Sequence, residues 1–155
     1  DHLFIYTTIH MPGNGATSAE ASPIFDLAAI QISSGQPISL IESTGMFAYP
    51  ILSKTDQGGR FRFAYLQATF PEQSETSSYS LFLADRDSSN RIKIFPKDNT
   101  GGLEPQEVVW MSTRADPNSE GIGFIYKGNL WIYNLVSGQA TQVTGDEAIT
   151  KIDWN

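Results

Sequence analysis

The sequence predicts an all-β chain in which one antiparallel four-stranded unit is used three times. Three observations predict it. The apolar runs are short and rich in β-branched and aromatic residues, and Gly, Ser, Asn or Asp interrupts them. No segment carries the 3.6-residue periodicity of a helix. The same pattern of runs and turns returns about every 60 residues, at Phe4, Phe63 and Phe124.

The last unit is the clearest. Ile122 to Tyr126 reads as a strand and Lys127-Gly128-Asn129 as a tight turn. Leu130 to Leu135, Thr141 to Val143 and Ile149 to Trp154 are the three strands that follow, with Ser137-Gly138 turning between the first two. The core of this unit, LWIYNLVSGQ from Leu130, aligns without a gap on LAAIQISSGQ from Leu27 and more loosely on LFLADRDSSNR from Leu81. The preceding strand recurs as Phe4-Ile5-Tyr6, Phe63-Ala64-Tyr65 and Phe124-Ile125-Tyr126. The strand after it recurs as Ile38 to Ile41 and Ile92 to Phe95, and the last strand as Phe47 to Leu52 and Val108 to Ser112.

Repeated four-stranded sheets stacked radially are the blades of a β-propeller. A β-sandwich of about twelve strands is the competing architecture, but sandwiches seldom repeat one hairpin three times. With strands named a to d from the central channel outward, the order along the chain is b-c-d-a in three units, about 1–53, 54–113 and 114–155 of a single domain. The first b-strand then has no a-strand. Since rings need at least four blades, the expectation is half of a six-bladed ring. Either the missing half or a second copy would complete it.

The pattern Phe124-Ile125-Tyr126, Asn129 to Leu135, Ser137-Gly138 and Val143-Thr144 resembles the TolB-like, WD40-like β-propeller repeat. The Ser-Pro-Asp-Gly turn common in that family is degraded here to Ser53 through Gly59 and to Ser112 through Gly121. The resemblance spans nearly the whole chain and implies a fold rather than an activity. It also implies an extracytoplasmic (periplasmic or secreted) location.

Charge and composition exclude several classes. The net charge is −7 with no Lys/Arg run, which disfavours nucleic acid and anionic membrane surfaces. No apolar run approaches the ~20 residues of a membrane-spanning helix, so no direct membrane insertion is expected. The absence of cysteine removes disulfides, thiolate catalysis and Cys-zinc sites.

In a four-stranded meander the b–c and d–a connections share one end. The long connections, about Thr8 to Phe25, Gln67 to Ser78 and Pro96 to Glu107, all fall there, whereas the c–d turns are minimal. Loops longer than about 12 residues are uncommon unless functional or disordered. That end is therefore the expected partner-binding face, with His10, Met11, Phe70, Glu72, Tyr79, Lys97 and Asp98 as its candidate residues. Each would otherwise be ordinary solvated loop.

Little points to chemistry. Asp85 to Asn90 alternates carboxylates as a calcium loop does, but lacks the central Gly and has Pro96 where the bidentate Glu belongs. His2 and His10 are too few for a metal site. Gly13-Asn14-Gly15 has neither the Lys nor the helix of a phosphate loop, and no Gly-x-Ser-x-Gly elbow exists. Tyr49, Trp110 and Trp154 lie on inner-type strands and are the candidate channel-lining residues, against plain packing between blades. The expectation is a non-catalytic interaction or assembly module with no metal or other cofactor, whose partner is a protein or the missing propeller half. The alternatives are a carbohydrate- or small-ligand-binding channel, hydrolytic in one version, and a structural subunit of a larger assembly.

Overall fold

A computed structural model of the chain describes residues 2–9, 23–56, 58–98, 100–112 and 120–154. The fold is all-β, with 45 % of the described residues in strands and no α-helix among them. The strands are β1 (Leu3–Ile9), β2 (Phe25–Gln31), β3 (Pro37–Ile41), β4 (Ile51–Leu52), β5 (Arg62–Ala68), β6 (Tyr79–Asp85), β7 (Ile92–Phe95), β8 (Val109–Met111), β9 (Gly121–Tyr126), β10 (Asn129–Asn134) and β11 (Gln139–Gln142). They form three antiparallel sheets, β1-β2-β3, β4-β5-β6-β7 and β8-β9-β10-β11. The first sheet thus has three strands and the others four.

Local chemistry explains the tight hairpins. Lys127 and Gly128 both have positive φ, 50° and 69°, the two-residue type I′ geometry that matches strand twist. It seats Tyr126 opposite Asn129. At the next turn the Asn134 carboxamide oxygen accepts from the backbone N–H groups of Val136 and Ser137 at 2.9 and 2.8 Å. Gly138 then closes the turn at φ 67°.

The middle sheet is buried on both faces, which accounts for its apolar sequence. Phe63, Tyr65 and Ala84 point one way, into a core shared with Leu27 and Ile41 of the first sheet. Ala64, Leu66, Leu81 and Leu83 point the other way, against Val108, Ile122, Phe124 and Tyr133 of the third. Period-two alternation therefore builds two cores from one sheet. Phe95 of β7 lies in the second core, its ring 4.7 Å from Phe124 and 5.6 Å from Trp131.

Two expected strands come out differently. Of Phe47 to Leu52 only Ile51–Leu52 is regular, because Tyr49 takes a positive φ of 40° and Pro50 has no N–H to donate. The irregular stretch still serves as an edge, since the Ala48 and Thr44 carbonyls accept from the N–H groups of Leu66 and Ala68, each at 2.7 Å. Ile149 to Trp154 is no strand at all. Ile149 N–H donates to the Gly128 carbonyl at 2.9 Å, but among the described residues no strand pairs with the segment in a ladder.

Candidate functional site

Two of the three long connections, those after β5 and after β7, are pinned by hydrogen bonds among their described residues. Between β5 and β6, Thr69 N–H donates to the Ser78 carbonyl at 2.9 Å and Phe70 N–H to Ser77 Oγ at 3.0 Å. A short 3₁₀ turn, Pro71–Gln73, forms the tip. Phe70, 56 % exposed, and Glu72 project from it. Tyr79 does not, which corrects its place among the surface candidates. It is fully buried, and its hydroxyl donates to the Ser74 carbonyl at 2.7 Å, pinning the loop from beneath. Burial pushes the Tyr79 hydroxyl pKa up. The connection after β7 is also held down, because Leu103 and Tyr79 exchange backbone hydrogen bonds of 2.7 and 2.8 Å.

Lys97 turns away from that end. Its ammonium donates to the Gly138 carbonyl and lies 5.7 Å from the Tyr133 ring, tying β7 to the β10–β11 turn of the next sheet. Asp98 is exposed and accepts from the Thr100 hydroxyl at 3.1 Å. His10 and Met11 lie outside the described residues.

The inner-type strands that carry Tyr49 and Trp110 do not share a repeat register. Ile51 stands across from Ala64, one place after Phe63, whereas Trp110 stands across from Ile122, two places before Phe124. Tyr49 is on the irregular stretch beside Phe47, at 5.9 Å between rings. The Trp110 indole N–H donates to Glu120 Oε1 at 2.7 Å, and Glu120 Oε2 is 3.7 Å from the Arg62 guanidinium. Trp110 is thus tied into a link between the second and third sheets. Trp154 is 43 % exposed.

The opposite end carries a cleft that the sequence did not suggest. It has a volume of about 710 Å³, with Leu3, Ile38 and Leu40 on one side and the turns around Asp56 and Asp87 on the other. Its charges are mostly engaged. Arg60 pairs with Asp56 at 3.1 Å, Asp85 takes the Asn90 amide at 2.7 Å, and Arg86 lies 5.6 Å from the Phe61 ring centroid. Hydrogen bonds from the Arg60 N–H and the Ser89 hydroxyl hold the carboxyls of Asp56 and Asp87, respectively, below the ordinary range. These are turn-fixing contacts. Among the described residues no group of three His, Asp or Glu side chains could hold a metal.

The third surface is the outer face of the first sheet. Phe4 pairs with Ile30, and Tyr6 with Ala28, so all four side chains point away from the middle sheet. Phe4 is 59 % exposed, and its ring stacks on Tyr6 at 6.4 Å between centroids. The repeat makes this exposure informative. Phe63 and Tyr65, at the same place in the second sheet, are fully buried under the first. Phe124, at that place in the third, is fully buried under the second. A position that is covered twice in the chain is open the first time.

No protein-family model matches the chain, and no curated protein or solved structure matches it either.

Proposed function

We propose that the chain is a non-catalytic assembly module of propeller-type blades that docks another β-sheet on the outer face of β1-β2-β3. The observation that carries this is Phe4, exposed where Phe63 and Phe124 are buried. An uncovered apolar sheet face beside an open strand edge is costly to leave in water and marks an interaction surface. The blade reading is supported by the way consecutive sheets connect. The segment that follows the outermost strand of one sheet supplies the first strand of the next, from β3 to β4 and from β7 to β8. The TolB-like pattern at Phe124 to Thr144 agrees with that reading, and an extracytoplasmic location goes with it.

A photo-crosslinking residue placed at Phe4 tests the docking face, with one at Ser89 in the turn-end cleft as control. Protein adducts that form at Phe4 and not at Ser89 are expected. Equal or absent labelling at the two positions would overturn the reading.

The cleft supports a second reading, capture of a small polar ligand, because its volume lies within the ~300–1,000 Å³ of ordinary ligand sites. A thermal-shift screen against sugars and carboxylic acids tests it. Stabilisation that is lost in Arg86→Ala favours it.

A further inference from the structure

We infer that the occupant of the open face is a second copy of this chain, whose residues 149–154 add along the free edge of β1. The inference rests on the docking reading above and names its partner.

The edge is defined by hydrogen bonding. His2 carbonyl accepts from Ile32 N–H at 3.0 Å, so the even-numbered residues of β1 bond to β2 and Leu3, Ile5 and Thr7 turn their backbone groups outward. Matching groups in the other two sheets have partners. In the second sheet Leu66 N–H donates to the Ala48 carbonyl, and Ser53 N–H to the Arg62 carbonyl at 2.8 Å. In the third, Val109 and Gly123 pair directly. Among the described residues, Leu3, Ile5 and Thr7 have no such neighbour.

The chain also carries a segment that lacks a ladder. From Thr150 to Asp153 no backbone group is hydrogen-bonded among the described residues. Its position is that of a first strand. A Cβ built on Gly123 would sit 2.9 Å from Val109 Cγ2 and 3.7 Å from Ile152 Cδ1, so Ile152 packs beside β8. In the same way, β8 approaches β4.

These two vacancies cannot meet within one molecule. The segment lies on the third sheet and the free edge belongs to the first, two sheet spacings of about 10 Å apart. A pair of copies related by a two-fold axis satisfies both, each giving its segment and accepting the other's. Placing Trp154 where Trp110 stands sets it opposite His2, and therefore sets Thr150 opposite Tyr6 and Ile152 over Phe4.

Light scattering on the purified chain should give twice the 17.1 kDa of one copy. Because the natural chain has no cysteine, Tyr6→Cys with Thr150→Cys should give a covalent dimer on a non-reducing gel. Lys151→Pro removes the N–H that this register pairs with Ile5, and should return the mass to that of one copy with an unchanged circular dichroism spectrum, since residue 151 bonds to none of the three sheets. A mass of one copy at every concentration overturns the inference, and so does a doubled mass without the cysteine bridge. The crosslink at Phe4 separates the two proposals. An adduct to a different protein leaves the docking face standing without the second copy, and no adduct from a single-copy chain overturns both.

Discussion

Gln106 pairs with Ile125 as a neighbouring strand would. Its side-chain amide donates to the Ile125 carbonyl at 2.8 Å, and its carboxamide oxygen accepts from Ile125 N–H at 2.6 Å. Beyond β8 the chain no longer runs beside β9, and this one side chain continues the ladder. Gln106→Leu should leave both groups of Ile125 without partners and cost about 1–3 kcal/mol. Chemical denaturation at neutral pH measures it. Gln106→Glu keeps an acceptor and loses the donor, so it should fall between the two.

The three repeat phenylalanines should differ in worth although their local sequences are alike. Phe63→Ala and Phe124→Ala empty fully buried sites and should each cost about 3–5 kcal/mol. Phe4→Ala, at 59 % exposure, should change the stability of the dilute single chain by about 0.5 kcal/mol or less. Denaturation midpoints of the three variants decide this, and equal losses would contradict the picture of one open and two covered faces.

Gly128 has φ +69°, and a Cβ there would overlap the Glu147 carbonyl oxygen, a contact with backbone that no rotamer relieves. Gly128→Ala should destabilise by about 1–3 kcal/mol. It should also break the Ile149 N–H bond to the Gly128 carbonyl. Faster amide exchange at Ile149 than in the unaltered chain would register that second effect.

Alkaline pH should unfold the chain through two buried phenols. Burial raises the hydroxyls of Tyr65 and Tyr79, with the charge of Arg91 pulling Tyr65 partly back. A pKa raised in the folded state gives stability that is whole below the unfolded value of about 10 and is lost as pH climbs through the folded value. The midpoint of denaturation should therefore drop above pH about 10. In Tyr65→Phe with Tyr79→Phe it should drop less, starting from a somewhat lower stability because Tyr79 loses its bond to the Ser74 carbonyl.

Much of the sheet pattern was legible because the signals are local. Phe-x-Tyr in one strand and an alternating apolar run in the next are readable wherever they occur, and β5, β6, β9 and β10 fall on them, although only β9 and β10 are joined by a two-residue turn. Tyr79 was misjudged because it borders a loop, although its alternation with Leu81 and Leu83 already aligns it with the buried face. Ile149 to Trp154 has strand composition without a strand, since a ladder also needs a neighbour that composition cannot supply. The cleft was illegible for a different reason. Leu3, Arg62 and Glu120 come together only when turns of separate sheets converge, and nothing in their sequence neighbourhoods records it.

The most direct measurement is residue-resolved amide exchange along β1 as the chain is concentrated. If a second copy completes the edge, the amides of Ile5 and Thr7 become protected in the two-copy state, as that of Leu66 is by its bond to Ala48. If they exchange as open amides at every concentration, while those of Phe4 and Tyr6 stay protected by β2, the edge is free and the central claim is wrong.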